Sequence, residues 1–208
     1  MWKHIRPAIV MILLMTVVTG IAYPLAVTGV AQAIFPSAAN GSLIERDGRV
    51  VGSELIGQSF TSDRYFNSRP SATLGPDPVD PGKSAPAPYN AANSMGSNAG
   101  PTSKALVERV QSSVAGYRQA FGGADAVAAD AVTTSASGLD PHISPENAAV
   151  QIRRVATARG LGEEHVRDLV RAATEDRTLG FLGEPRVNVL MLNMSLDRES
   201  ANRPTTTQ

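Results

Sequence analysis

The chain has 208 residues, with 19 Lys and Arg balanced by 19 Asp and Glu, and it has no cysteine. Zero net charge without a basic run argues against a nucleic-acid binder. The missing cysteine removes disulfides, thiolate metal sites and a Cys nucleophile, and the length bounds the chain to about one or two domains.

Residues 1–6, MWKHIR, are basic, and no Asp, Glu, Lys or Arg follows Arg6 until Glu45. The uncharged stretch Ala8–Phe35 is long enough for a bilayer-spanning helix, which takes about 20 apolar residues. Three readings compete for it. A buried soluble helix of this length normally carries a polar stripe, and none is visible. A cleaved signal peptide fits the basic start and the small-x-small AQA at Ala31–Ala33, but its apolar region is normally about 7–15 residues. A retained single-pass anchor is the favoured reading. Lys3 and Arg6 then place residues 1–7 in the cytoplasm, 8–35 in the membrane and the rest outside. Gly20 and Pro24 are tolerated in a span when neighbours satisfy the freed backbone groups. The small residues Gly20, Ala22, Ala26 and Gly29 suit close packing on another helix.

After the span, Pro36 and Asn40-Gly41 predict a turn. Gly48–Phe60 reads as short extended pieces broken by Gly52 and Gly57. The proline-dense stretch 69–90 can be neither helix nor central strand and predicts a long irregular loop. Leu106, Val110, Val114, Tyr117 and Phe121 recur at helical spacing and predict a helix over Thr102–Ala120. FGGADAVAADAV resets the chain, with an extended segment at Ala131–Ser135. Ser144 as N-cap with Pro145 at N1 opens a helix whose apolar face is Ala148, Ile152, Val155 and Ala156, stopped by Gly160. A second helix carries Val166, Leu169, Val170 and Ala173. RVNVLMLN, Arg186–Asn193, reads as a strand, and 199–208 as a polar tail. The sum is an α+β domain over 36–198 behind one N-terminal transmembrane helix.

Candidate sites are few. GKS at 82–84 ends like a phosphate loop, but Asp77 stands where that loop needs glycine, and the neighbouring prolines remove N–H donors. Gly96–Lys104 could form an anion nest or simply cap the next helix through Thr102 or Ser103. The arginines at 153, 154 and 159 read as solvated helix charges, Glu163 and Arg167 as an i, i+4 pair, and His165 as a surface or core-edge residue. SASGLDPHISPENAA, Ser135–Ala149, holds more turn grammar than a cap requires, leaving loop architecture and a functional surface both open.

Seven stretches carry a resemblance: TGIAYPLAVTG, ANGSLI, VVGSELIGQSF, YFNSRPSA, YNAANSMGSNAGPTS, SASGLDPHISPENAAVQIRRVATARGL and LGEPRVNVLMLNMSLD. Together they resemble the C subunit family of Kdp-type potassium-transporting P-type ATPases almost end to end. Met95, Ala99, Ser103 and Ala136 depart from the family pattern. The resemblance implies a retained anchor in the inner membrane and a non-catalytic accessory subunit of an ATP-driven potassium importer. Its implied partners are a potassium-channel-like subunit, a catalytic P-type ATPase subunit and membrane lipid. It implies no cofactor of the chain's own, with ATP as a weak ligand in the alternative role of a nucleotide-binding catalytic chaperone. A secreted hydrolase is a distant alternative. Residues expected at partner contacts are Gly20, Gly29, Gln58, Gly138, Asp140, Pro141 and His142. None is expected to be catalytic or to bind a metal.

Overall fold

The protein is described from a computed structural model, which covers residues 2–121 and 126–201. Part of the FGGADAVAADAV reset and residues 202–208 of the expected tail lie outside those residues. The chain divides into two compact units, residues 1–53 and 54–208.

The first unit begins with helix α1 (Trp2–Val17), a five-residue π turn (Val18–Ala22) and helix α2 (Tyr23–Ile34). Together these form a continuous 33-residue apolar helix, none of whose most apolar window is buried by the chain itself. At 1.5 Å per residue it is about 50 Å long, ample for a hydrocarbon core of about 30 Å. The π turn ends two residues before Pro24. Pro lacks an N–H and crowds the carbonyl four residues back, and widening the turn relieves that crowding. A short helix α3 (Pro36–Ala39) follows, then strands β1 (Leu43–Arg46) and β2 (Arg49–Ser53). Asp47 and Gly48 both take positive φ, 53° and 72°, which makes the two-residue turn of a twisted hairpin.

The second unit is built around helices α6 (Pro145–Arg159), α7 (Glu163–Ala172) and α8 (Val189–Ala201). They pack with a small antiparallel sheet of β5 (His142–Ile143), β6 (Thr174–Glu175) and β7 (Arg186–Asn188), in the order β5-β7-β6. The core joins Ile143, Ile152, Val155, Val166, Val187, Leu192 and Leu196, all at most 3 % exposed. A buried aliphatic side chain of this kind contributes about 1.5–3 kcal/mol by leaving water. Helix α6 starts and stops as its sequence predicts. Ser144 Oγ accepts from the Asn147 N–H at 3.1 Å, and Gly160 at φ 62° ends it, with the Leu161 N–H donating to the Ala156 carbonyl at 2.9 Å. Helix α4 (Lys104–Ala120) half-buries its predicted face.

Three expectations are corrected. The strand expected over 186–193 lasts only to Asn188. There the Asn188 Oδ1 accepts from the Met191 N–H at 3.1 Å and caps α8, whose Val189, Leu192 and Leu196 recur at helical spacing. The apolar run has a helical period that its β-branched start obscures. The extended segment expected at 131–135 begins instead as a helical turn, α5 (Ala129–Val132), with Thr133 Oγ1 donating to the Ala129 carbonyl at 2.7 Å. The loop 69–90 is not wholly irregular. Strands β3 (Leu74–Pro76) and β4 (Ser84–Pro86) pair inside it as an isolated hairpin, with prolines at its ends, where no further strand needs their N–H.

Candidate functional site

The segment 65–71 has no regular secondary structure, yet Phe66 is 0 % exposed. Two carboxamides complete its backbone. Asn193 accepts from the Phe66 N–H at 2.8 Å and donates to its carbonyl at 3.0 Å. Gln151 accepts from the Asn67 N–H at 2.7 Å and donates to its carbonyl at 3.2 Å. Each side chain thus supplies the donor and acceptor that a neighbouring strand would supply, and buried backbone groups require such partners. Gln151 also accepts from Arg154 Nη2 at 3.0 Å and donates to Asn147 Oδ1 at 3.1 Å, so its amide is fully engaged.

This fixed segment aims Arg69 at the Ser135–Ala149 stretch. Arg69 Nη1 donates to Asp140 Oδ2 at 2.8 Å, and the His142 N–H donates to Asp140 Oδ1 at 3.0 Å. The His142 ring stands at 3.4 Å from the same oxygen. Burial acts to raise the Asp140 pKa. The hydrogen bonds from the His142 side chain and N–H, then those from Arg69 and its charge, outweigh burial and lower the pKa to about 2. Burial pushes the nearby Tyr89 hydroxyl up to about 12; the hydroxyl donates to the Arg69 carbonyl at 2.6 Å.

The loop behind Asp140 is packed, not displayed. A Cβ on Gly138 would lie 2.4 Å from the Met95 carbonyl oxygen, and one on Gly57 would lie 2.7 Å from the Asp140 carbonyl oxygen. The Gly57 N–H donates to the Leu139 carbonyl at 2.8 Å, and Ser71 Oγ donates to the Gly138 carbonyl at 2.7 Å. Of the residues singled out in the sequence, Gln58, Gly138, Asp140, Pro141 and His142 therefore gather at one locus. Gly138 and Pro141 are buried, while the Asp140 and His142 side chains keep 27 % and 25 % exposure. Gly20 and Gly29 lie on the apolar helix of the other unit. Nine residues at about 100° each place them about half a turn apart, so one seam does not take both.

Several site readings change with the geometry. Arg154 and Arg159 are not solvated charges. Arg159 has a fully buried side chain that binds Asp197 at 2.9 Å and the Leu196 carbonyl at 3.1 Å, with its guanidinium 4.9 Å over the Tyr65 ring. Arg154 reaches the Tyr65 carbonyl at 2.9 Å and Asn67 Oδ1 at 3.2 Å, and burial lowers its pKa. Both arginines hold the irregular segment 62–67 through the carbonyls of Ser62, Arg64 and Tyr65. Arg167 pairs with Glu164 rather than Glu163. His165 is half exposed beside Glu199, at the surface as expected. Lys83 of the GKS triplet sits in an exposed turn, paired with Asp80 at 2.9 Å. Ser103 occupies the N-cap of α4 without a side-chain cap bond.

The buried amides Asn147, Gln151 and Asn193 escaped the sequence reading. Their signal was present: Asn147 and Gln151 sit one and three places from Ala148 on the apolar stripe of α6, where polar residues are out of pattern. A cavity of about 390 Å³ opens beside them, lined by Tyr89, Tyr117, Asn147 and Gln151 among others. Tyr117 donates to Asn147 Oδ1 at 3.2 Å. Among the described residues no group of three His, Asp or Glu is placed to hold a metal. The arrangement clasps a loop through one ionised carboxylate.

The family described as K+-transporting ATPase, c chain, matches residues 5–198. The potassium-transporting ATPase KdpC subunit of Methylobacterium nodulans is 60 % identical over 197 residues, 95 % of this chain and 98 % of that one. The KdpC subunit of Bradyrhizobium diazoefficiens is 59 % identical over 201 residues, 97 % of this chain and 100 % of that one. The KdpC subunit of Rhodopseudomonas palustris is 60 % identical over 197 residues. With a match that runs from the apolar helix into α8, the chain belongs to the KdpC family, the c chain of potassium-transporting ATPases.

Proposed function

We propose that this chain is a non-catalytic accessory subunit of an ATP-driven potassium-importing complex in the inner membrane. Its helix anchors it with the N-terminus in the cytoplasm and residues 36–198 outside. It stabilises a potassium-channel-like subunit and a catalytic P-type ATPase subunit. The observation that carries this reading is the near full-length family match, joined to a 33-residue apolar helix that the chain leaves uncovered. Lys3 and Arg6 before the span, with charges returning only at Glu45, support the orientation. Of the contact residues expected at the second locus, Gln58, Asp140 and His142 reach the surface, and these carry the docking proposal there. Val79, 93 % exposed, is the place for a reporter. With Val79→Cys, an impermeant thiol reagent is expected to label intact cells stripped of their outer barrier. Labelling only after the inner membrane is opened overturns the orientation.

A nucleotide-assisting role draws on the cavity beside Gln151, which has the size of a small-ligand site. The amides there are already engaged by the protein, so we infer at most weak ATP binding and no turnover. The purified full-length chain in detergent is expected to release no phosphate from ATP above a buffer control. Steady release that survives repurification overturns the accessory reading in favour of an enzyme.

A further inference from the structure

We propose that the π turn at Val18–Ala22 receives a hydrogen bond from a donor side chain on a transmembrane helix of a different subunit, with the Thr19 carbonyl as acceptor. The inference rests on the assembly reading above and adds the place and chemistry of the contact.

In a regular helix the Thr19 carbonyl would accept from the Tyr23 N–H. That N–H donates instead to the Val18 carbonyl, five residues back. In a π turn the next donor in line is residue 24, which is proline and has no N–H. The ladder therefore supplies Thr19 no donor at either the fourth or the fifth residue ahead. Gly20 likewise loses its fourth-residue donor to Pro24. The Thr19 hydroxyl, a common local remedy, donates to the Met15 carbonyl at 2.6 Å. These carbonyls lie midway along the apolar helix Trp2–Ile34, whose mean hydropathy reaches 2.2. Lipid at that depth offers no hydrogen bond, and an unsatisfied backbone group there is strongly disfavoured.

The flank is open to a close neighbour. Gly20 presents no side chain, and a Cβ placed on it would meet nothing nearer than Thr16 Cγ2 at 3.9 Å. A second copy of this chain is a poor occupant. Twofold pairing through this face sets the same carbonyls opposite each other, acceptor against acceptor. The donor must come from a chain with a different sequence, and Ser, Thr, Asn, Gln or Lys facing the seam would serve.

The test uses the whole complex, co-expressed with an affinity tag on a larger subunit and extracted in mild detergent. The amount of this chain retained after washing is normalised to its amount in the membrane, so poor insertion is not counted as poor binding. Gly20→Leu blocks the approach. Pro24→Ala restores an N–H that the helix can use for itself, and both changes keep the span apolar. Each is expected to retain roughly three- to thirtyfold less chain than the wild type, the range of one interhelical hydrogen bond. Met11→Phe, nine residues before Gly20 and about half a turn round the helix, is expected to match the wild type. Wild-type retention of both Gly20→Leu and Pro24→Ala overturns the contact and leaves assembly standing. Equal loss with Met11→Phe also overturns it, because bulk anywhere on the span would then suffice. A span-to-span cross-link between two copies overturns the heterologous donor. Failure of the wild-type chain to co-purify overturns the assembly reading itself.

Discussion

Asp140 illustrates how much one carboxylate does in this unit. Its pKa of about 2 in the folded chain lies below the ordinary 3.8, so the ionised form favours folding. Its contribution is present above about pH 4 and is lost as the pH falls through about 2. With the side chain partly exposed, that contribution is about 1–2 kcal/mol. Thermal melts of the full chain in detergent should show the loss between pH 4 and 2, and Asp140→Asn should flatten that part of the profile. An unchanged profile would remove the clasp from the stability account. Asn193 is a stronger case. It is 2 % exposed and bonds both polar groups of Phe66, so Asn193→Ala strands a buried N–H and carbonyl. A cost of about 2–4 kcal/mol is expected in denaturant titration. At this scale the sequence was legible where the grammar is local. Ser144 and Pro145 announce a helix start because capping is settled within four residues. Arg159 looks solvated in the sequence because its partners, Arg64 and Asp197, are 95 and 38 positions away.

Between elements, backbone shape decides which glycines matter. Gly160 ends α6 at φ 62°, with open space where a Cβ would sit. Gly160→Ala should therefore cost only the strain of that conformation, about 1 kcal/mol. Gly138 has nearly the same φ, 69°, but its Cβ would stand 2.4 Å from the Met95 oxygen and 2.6 Å from Thr73 Cγ2. Gly138→Ala must both strain its backbone and displace two packed segments, and a loss of about 2–4 kcal/mol is expected in the same titration. Similar losses at the two positions would show that the close packing is not enforced. Element boundaries were legible for α6 at both ends and for α4 to within two residues, and the presence of α7 was legible from its apolar spacing. The change at Asn188 from strand to helix was hidden. Val187 and Val189 favour extended backbone, while the helical period of α8 emerges only once Leu192 and Leu196 are read with them.

For the molecule as a whole, the apolar helix was the most legible feature, because a bilayer imposes length and composition directly. The family was legible through seven motifs spread along the chain. The internal scaffolding was not, since it rests on side-chain amides reaching across 84 and 127 positions. Those distances also impose an order in time. Phe66 leaves the ribosome well before its two hydrogen-bond partners on Asn193, which follow 127 positions later. Until then the segment 65–67 has no sheet to join and must wait in a nascent chain with its backbone unpaired. A chain stopped at Asn188 should therefore remain protease-sensitive throughout its second unit instead of losing only its last helix.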